Sequence, residues 1–227
     1  MNTVQPIKNP ARVRAILEGL EKDFSWHGRR MYLLFATGVF TGLRISDIVK
    51  LRAGHVRGEY LRLREQKTGK RQSIYINRAL RAIYDERLAG LSDDAFIFPS
   101  RKKDGDGNEK PISTRAAAYD MKVIAKRFGI KEPFACHSMR KTYGYQLYNG
   151  GQGATLEELR IQFNHSKEAV TRRYIGVDEE MRNKHVRNLQ FDGYTPESFT
   201  GSTRKRDKDG GQVLETSWSN EVKKTDS

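Results

Sequence analysis

The feature that most constrains the fold is a single change of hydrophobic period. From residue 10 to about 51, and again from about 77 to 189, apolar side chains recur at the three- and four-residue spacing of helices. Between these stretches, Tyr60-Leu61-Arg62-Leu63-Arg64 and Gln72-Ser73-Ile74-Tyr75-Ile76 read as strands, with Lys67-Thr68-Gly69-Lys70 near the turn. The pattern predicts a mainly α fold with a small antiparallel β-sheet (α+β). A third strand is expected near His55 to Arg57.

The helical boundaries carry their own signals. Asn9-Pro10 gives a cap residue followed by proline at the first helical position. A more apolar, core-type helix is expected from about Arg29 to Phe40. Thr41-Gly42 ends it, and a short helix with Ile45, Ile48, Val49 and Leu51 follows. Asn77 caps a helix through Leu88, and the Asp104-to-Asn108 run places a loop at 100–111. Further helices are expected at about 113–128, 138–149, 156–163, 167–175 and 178–189, with Thr155 and Glu158 as a capping box. Residues 1–194 thus read as one domain. Residues 195–227 are polar, rich in Ser, Thr, Lys and Asp, and are expected to lack fixed structure.

Charge narrows the partners. The chain carries 42 Lys and Arg against 28 Asp and Glu, a net charge of +14. Residues 201–227 hold six basic and five acidic side chains, so nearly all of the excess lies on residues 1–200. A folded domain with that excess attracts polyanions, and nucleic acid is the usual one. No run approaches the roughly 18 apolar residues of a membrane span, and the first residues lack the apolar segment of a signal peptide. The one cysteine, Cys136, excludes an internal disulfide and fits a reducing cytoplasm. There is neither an obvious metal cluster nor a phosphate-binding glycine loop, so no cofactor is expected.

Four segments carry candidate chemistry: Thr41-Gly42-Leu43-Arg44, the hairpin with Lys67 and Lys70, His137-Ser138-Met139-Arg140, and Asn164-His165-Ser166 with Tyr174 nine residues after the histidine. Singly, each is ordinary: a surface arginine, a solvated lysine, a His and Arg on one helical face, a tyrosine on an amphipathic helix. In order, they resemble the catalytic domain of the tyrosine recombinase family, which includes phage integrases. That pattern is an arginine in Thr-Gly-Leu-Arg, a hairpin lysine, His-x-x-Arg, a Gly-His-Ser-like turn and a tyrosine about nine residues on. Arg44, Lys67, His137, Arg140, His165 and Tyr174 fill its positions, and the likeness runs from about residue 10 to 190.

The resemblance implies a site-specific recombinase that cleaves and rejoins DNA through a 3′-phosphotyrosine. Arg44, Arg140 and His165 suit a phosphate cradle, because guanidiniums pair bidentately with phosphate oxygens. By resemblance His137 is the base that takes the Tyr174 proton, and Lys67 is the acid for the departing 5′ oxygen. Lys70 is the alternative to Lys67. Asp47 reads either as a carboxylate orienting an arginine or as a helix-surface group. Asn164 departs from the family glycine but tolerates left-handed backbone angles. A Cys136 nucleophile is disfavoured, since no orienting group accompanies it.

The implied partners are double-stranded DNA and a homo-oligomer, a tetramer on paired sites, with room for accessory DNA-bending proteins. In the family, the segment after the tyrosine often docks on a neighbour; Val186 and Leu189 either do so here or pack on their own domain. The helical DNA-binding domain that usually precedes the catalytic domain is expected to be missing, as in a small promoter-inverting recombinase or a catalytic fragment. Two other readings compete: a DNA-binding regulator without cleavage, and a type IB topoisomerase-like enzyme.

Overall fold

The computed structural model describes residues 4–177 and two short segments further on. Within 4–177 the chain runs α1 (Pro10–Glu21), α2 (Trp26–Thr41), α3 (Ile45–Ile48), a 3-10 turn (Ala53–Val56), β1 (Tyr60–Arg64), β2 (Arg71–Tyr75), α4 (Arg78–Arg87), α5 (Thr114–Arg127), α6 (Cys136–Asn149), α7 (Leu156–Gln162) and α8 (Glu168–Ile175). It is mainly helical with one small antiparallel sheet, as the change of period predicts. Strands β1 and β2 pair Tyr60 with Tyr75 at one end and Arg64 with Arg71 at the other. In the polar C-terminal segment, Lys205–Arg206 (β3) pairs antiparallel with Gln212–Val213 (β4). The expected helix at 178–189, with Val186 and Leu189, lies outside the described residues. Among the described residues, no helix is long and apolar enough to cross a membrane.

Caps fix most helix starts. The side chains of Asn9, Asn77 and Ser113 accept from the backbone N–H groups of Ala11, Leu80 and Ala116. Thr155 and Glu158 close the expected box: Thr155 N–H donates to Glu158 at 2.7 Å, and Glu158 N–H donates to the Thr155 hydroxyl at 3.1 Å. Helix α2 begins at Trp26, earlier than expected, because Ser25 caps it through Gly28 N–H at 2.9 Å. Helix α6 starts at Cys136, which puts His137 in its first turn.

The third strand is a correction. Residues 53–56 form a 3-10 turn, in which the Arg52 N–H donates to His55 Nδ1 at 3.1 Å. The side chain competes with a strand ladder for the backbone, a local choice that alternation of apolar residues does not register.

Two buried clusters organise the domain. The larger draws on α1, α2, α4, α5 and the hairpin, with Leu34, Phe35, Leu61, Leu80 and Met121 fully buried. The smaller holds Leu156, Leu159, Phe163, Ile175 and Val177, with Tyr143 and Tyr174 packed against it. Helix α6 spans both. A methyl on Gly38 would meet Met139 Sδ at 2.5 Å, and one on Gly144 would meet Ile175 Cγ2 at 2.7 Å. Glycine at these points lets α2 and α8 approach α6 closely.

Candidate active site

Where α2 ends, Gly42 takes a left-handed φ of 65° and turns the chain so that Arg44 becomes the N-cap of α3. Its guanidinium is mostly buried. Nη1 lies 2.8 Å from Glu65 Oε1, and Nη2 donates to the Phe163 carbonyl at 3.3 Å. Arg140, on the second turn of α6, is almost fully buried. It donates to the Gly42 carbonyl at 2.5 Å and to the same Phe163 carbonyl at 3.1 Å, and stacks on the Phe163 ring at 4.3 Å. Two guanidiniums thus converge on one backbone oxygen. Their planes are set by buried acceptors before any anion arrives, which is the preorganisation a phosphate site needs.

Glu65 was not among the residues that the sequence singled out. It ends the hairpin's first arm, is 1% exposed and binds Arg44. Burial pushes its carboxyl up, but the Thr68 hydroxyl, Arg44 and the Asn164 amide outweigh this and hold it below the usual range. A charged residue beside a strand end was the available signal, although solvated turns look the same. Asp47 meets neither expectation. It is 4% exposed, so it is no surface group, and its Oδ1 accepts the Gln66 N–H at 2.9 Å. It anchors the hairpin backbone next to Lys67 instead of binding an arginine side chain. Burial raises its pKa.

The hairpin turn closes through Glu65 N–H to the Lys70 carbonyl at 2.9 Å, with Gly69 at a φ of 67°. Lys67 faces the cleft, whereas Lys70 does not line it. The turn after α7 reverses at Asn164, whose φ of 51° is the only positive value outside glycine among the described residues. That reversal aims His165 inward, where Nδ1 lies 3.0 Å from the Thr171 hydroxyl. Partial burial, then Arg140 and Arg44, push the His165 pKa down to about 4, so the ring is neutral near pH 7.

Tyr174 sits on the last turn of α8, half-buried, with its ring edge-on to His165 (centroids 5.2 Å apart) and Phe163 (5.7 Å). Its hydroxyl is 3.4 Å from His137 Nδ1. Burial raises the phenol pKa, while Arg140 and Arg44 pull it back down. The His137 ring reaches the surface, yet the protein around it and the cations of Arg140, Lys141, Arg44 and Lys67 lower its pKa. A neutral imidazole beside the phenol is therefore the favoured state near pH 7. Cys136 lies next door but outside the cleft, and burial pushes its thiol up to about 11, far from a reactive thiolate.

Arg44, Lys67, His137, Arg140, His165 and Tyr174 line one cleft of about 440 Å³, together with Thr68, Asn164, Ser166 and Val170. Residues up to 130 positions apart in sequence meet there. A helical domain with a small hairpin, closing two arginines, a lysine, two histidines and a tyrosine around one cavity, has the build of a tyrosine recombinase catalytic domain. The phage integrase family profile matches residues 9–181. A probable integrase/recombinase, YoeC of Bacillus subtilis (strain 168), is 32% identical over 181 residues, covering 79% of this chain and 93% of the relative. The chain belongs to the phage integrase family.

Solved structures agree on the fold. XerA recombinase superposes with a TM-score of 0.62 at 17% identity, over 82% of this chain and 67% of that one. XerH recombinase bound to its difH substrate gives 0.58 at 16% identity, over 85% and 56%. A lambda integrase dimer bound to a core site gives 0.55 at 14% identity, over 87% and 53%. The chain therefore spans little more than half the length of these last two.

Proposed function

We propose that this chain is a site-specific DNA recombinase that cleaves and rejoins strands through a 3′-phosphotyrosine on Tyr174. The observation that carries this is the placement of the Tyr174 hydroxyl 3.4 Å from His137, in the cleft that Arg44, Arg140, Lys67 and His165 share. The partner is duplex DNA, in line with the DNA sites held by XerH and lambda integrase in their own structures.

The steps balance as a transesterification. Tyr174 Oη attacks the scissile phosphorus while His137 Nδ1 takes the phenolic proton. The bond from phosphorus to the 5′ oxygen breaks, and Lys67 gives that oxygen a proton. The phosphate stays on the tyrosine. Attack by a 5′-hydroxyl from a second duplex reverses the sequence and restores the phenol. Arg44 and Arg140 hold the non-bridging oxygens as charge builds on them. If the Thr171 hydroxyl donates to His165 Nδ1, the ring carries its proton on Nε2 and adds one more donor. No external energy source enters, because one phosphodiester-type bond is exchanged for another.

Assembly as a tetramer on paired sites completes the reading. The test is a nicked suicide duplex drawn from the DNA flanking the chain's own gene. A covalent protein–DNA adduct is expected, and Tyr174→Phe should abolish it. Absence of any adduct favours a DNA-binding regulator. Plasmid relaxation without recombinant products favours a topoisomerase-like enzyme. An adduct that survives Tyr174→Phe means that another residue is the nucleophile.

A further inference from the structure

The outer face of the hairpin carries a contradiction. Along β1 and β2, Leu61 and Ile74 point into the core, while Tyr60, Arg62, Arg64, Arg71, Ser73 and Tyr75 are exposed. The register sets Arg64 directly across from Arg71. Directly opposed residues on an antiparallel pair have Cβ atoms about 4.5–5.5 Å apart, and like charges there destabilise the sheet. A carboxylate would ordinarily relieve this. Among the described residues, neither arginine has an ion pair or a side-chain hydrogen bond. Glu65, the nearest acid in sequence, is buried and engaged by Arg44 and Thr68.

The neighbours on that face do not relieve the charge either. Arg62 lies across from Ser73, two residues or about 7 Å along the strand from Arg64. Its guanidinium rests near the Tyr60 ring at 5.9 Å, and Tyr60 packs edge-on against Tyr75 at 5.6 Å. This aromatic pair pins the far end of the hairpin. At the near end, Lys67 faces the catalytic cleft. The uncompensated pair thus sits just behind the turn that addresses the reacting phosphate.

We propose that Arg64 and Arg71 form a two-guanidinium clamp for a DNA phosphate neighbouring the one that Lys67 faces. The clamp rests on the DNA reading given above and acts in positioning, outside the cleavage machinery. An anion between the arginines turns their repulsion into two charge-assisted contacts. The arrangement costs stability in the free protein and returns it on binding. That exchange separates it from a structural pair and from an indifferent one.

The experiment compares Arg64→Gln, Arg71→Gln and the double variant by thermal unfolding without DNA, by binding to a short duplex over a salt series, and by adduct yield. Each single variant is expected to unfold at or above the wild-type Tm and to bind about tenfold more weakly. The double variant should lose less than the product of the two single losses, because both arginines share one phosphate. Its log–log salt slope should be shallower by about 0.9, the value of one phosphate contact. A lowered Tm in the single variants overturns the clamp in favour of a structural role. Unchanged affinity and salt slope overturn it in favour of a solvated surface. If the wild type yields no adduct but the variants still lose affinity, the cleavage reading fails and the clamp stands.

Discussion

The two buried clusters divide the candidate catalytic residues unequally. Arg44 and the Lys67 hairpin grow from the larger cluster, next to Leu43, Leu61 and Ile74. His165 and Tyr174 ride on the smaller one, which has five buried apolar residues at its centre. Each such residue contributes about 1.5–3 kcal/mol on burial, so the smaller cluster has far less to spend on local order. Regions with few buried contacts open at lower free energy than the global fold. The larger cluster therefore sets Arg44 and the Lys67 hairpin, while Phe163 of the smaller one holds both arginines through its carbonyl and lies beside the proposed nucleophile. The proposed strand transfer would draw on both: arginines set before the reaction, and a tyrosine joined to DNA between its two steps.

The largest expected effect attacks the bridge between the clusters. Arg140→Ala removes a donor from the cradle and leaves the Gly42 and Phe163 carbonyls without it. Adduct formation should fall by about a thousandfold or more, read in single-turnover cleavage. Arg140→Lys should recover little, since a point charge cannot span two carbonyls and a phosphate. Lys67→Ala should slow cleavage by about 10²–10⁴-fold. A 5′-bridging sulfur, which needs no proton to depart, should restore most of the rate; failure to restore it would remove Lys67 from the acid role.

Smaller effects sharpen the division. Gly144→Ala places a methyl 2.7 Å from Ile175 Cγ2 and 2.8 Å from Phe163 Cε2. It should cost about 1–3 kcal/mol in urea unfolding. Hydrogen exchange should quicken in α7 and α8 while α2 and α4 keep their protection. Uniform loss across both clusters would mean that the domain opens as one unit. Asn164→Ala, at a φ of 51°, should cost about 1 kcal/mol. A further test of stability is pH. His165 has a folded pKa of about 4 against 6.5 when unfolded, so the unfolded chain binds its proton first. Its contribution is complete above pH 6.5 and is lost as pH falls toward 4. His165→Gln should flatten that part of the stability profile, as measured by urea titration at stepped pH.

Much of this site was legible in the sequence because its parts are local motifs. Thr-Gly-Leu-Arg reads as a helix stop followed by a cation, and the structure places a left-handed Gly42 and an N-capping Arg44 there. Asn164 was readable as a left-handed turn for the same steric reason. What stayed hidden depends on contacts distant in sequence. Glu65 matters because Arg44, 21 positions away, folds onto it. Asp47 holds the hairpin because Gln66 N–H reaches it, and nothing in a short helix announces that. The start of α6 at Cys136 escaped notice because Ala135 offers no side-chain cap. The turn at 53–56 hinged on a histidine ring capturing a backbone donor, which periodicity does not record.

The Phe163 carbonyl has a consequence for how this chain tolerates change. One oxygen holds Arg44 from α3 and Arg140 from α6, so a shift of that peptide misplaces both at once. Lengthening the hairpin turn would move chiefly Lys67 and Thr68, at one side of the cleft. Lengthening the turn between Phe163 and His165 by one residue would displace two arginines and a histidine together. Natural variation in length should therefore collect in the hairpin and in the 100–111 loop, and be purged from the short reversal at Asn164.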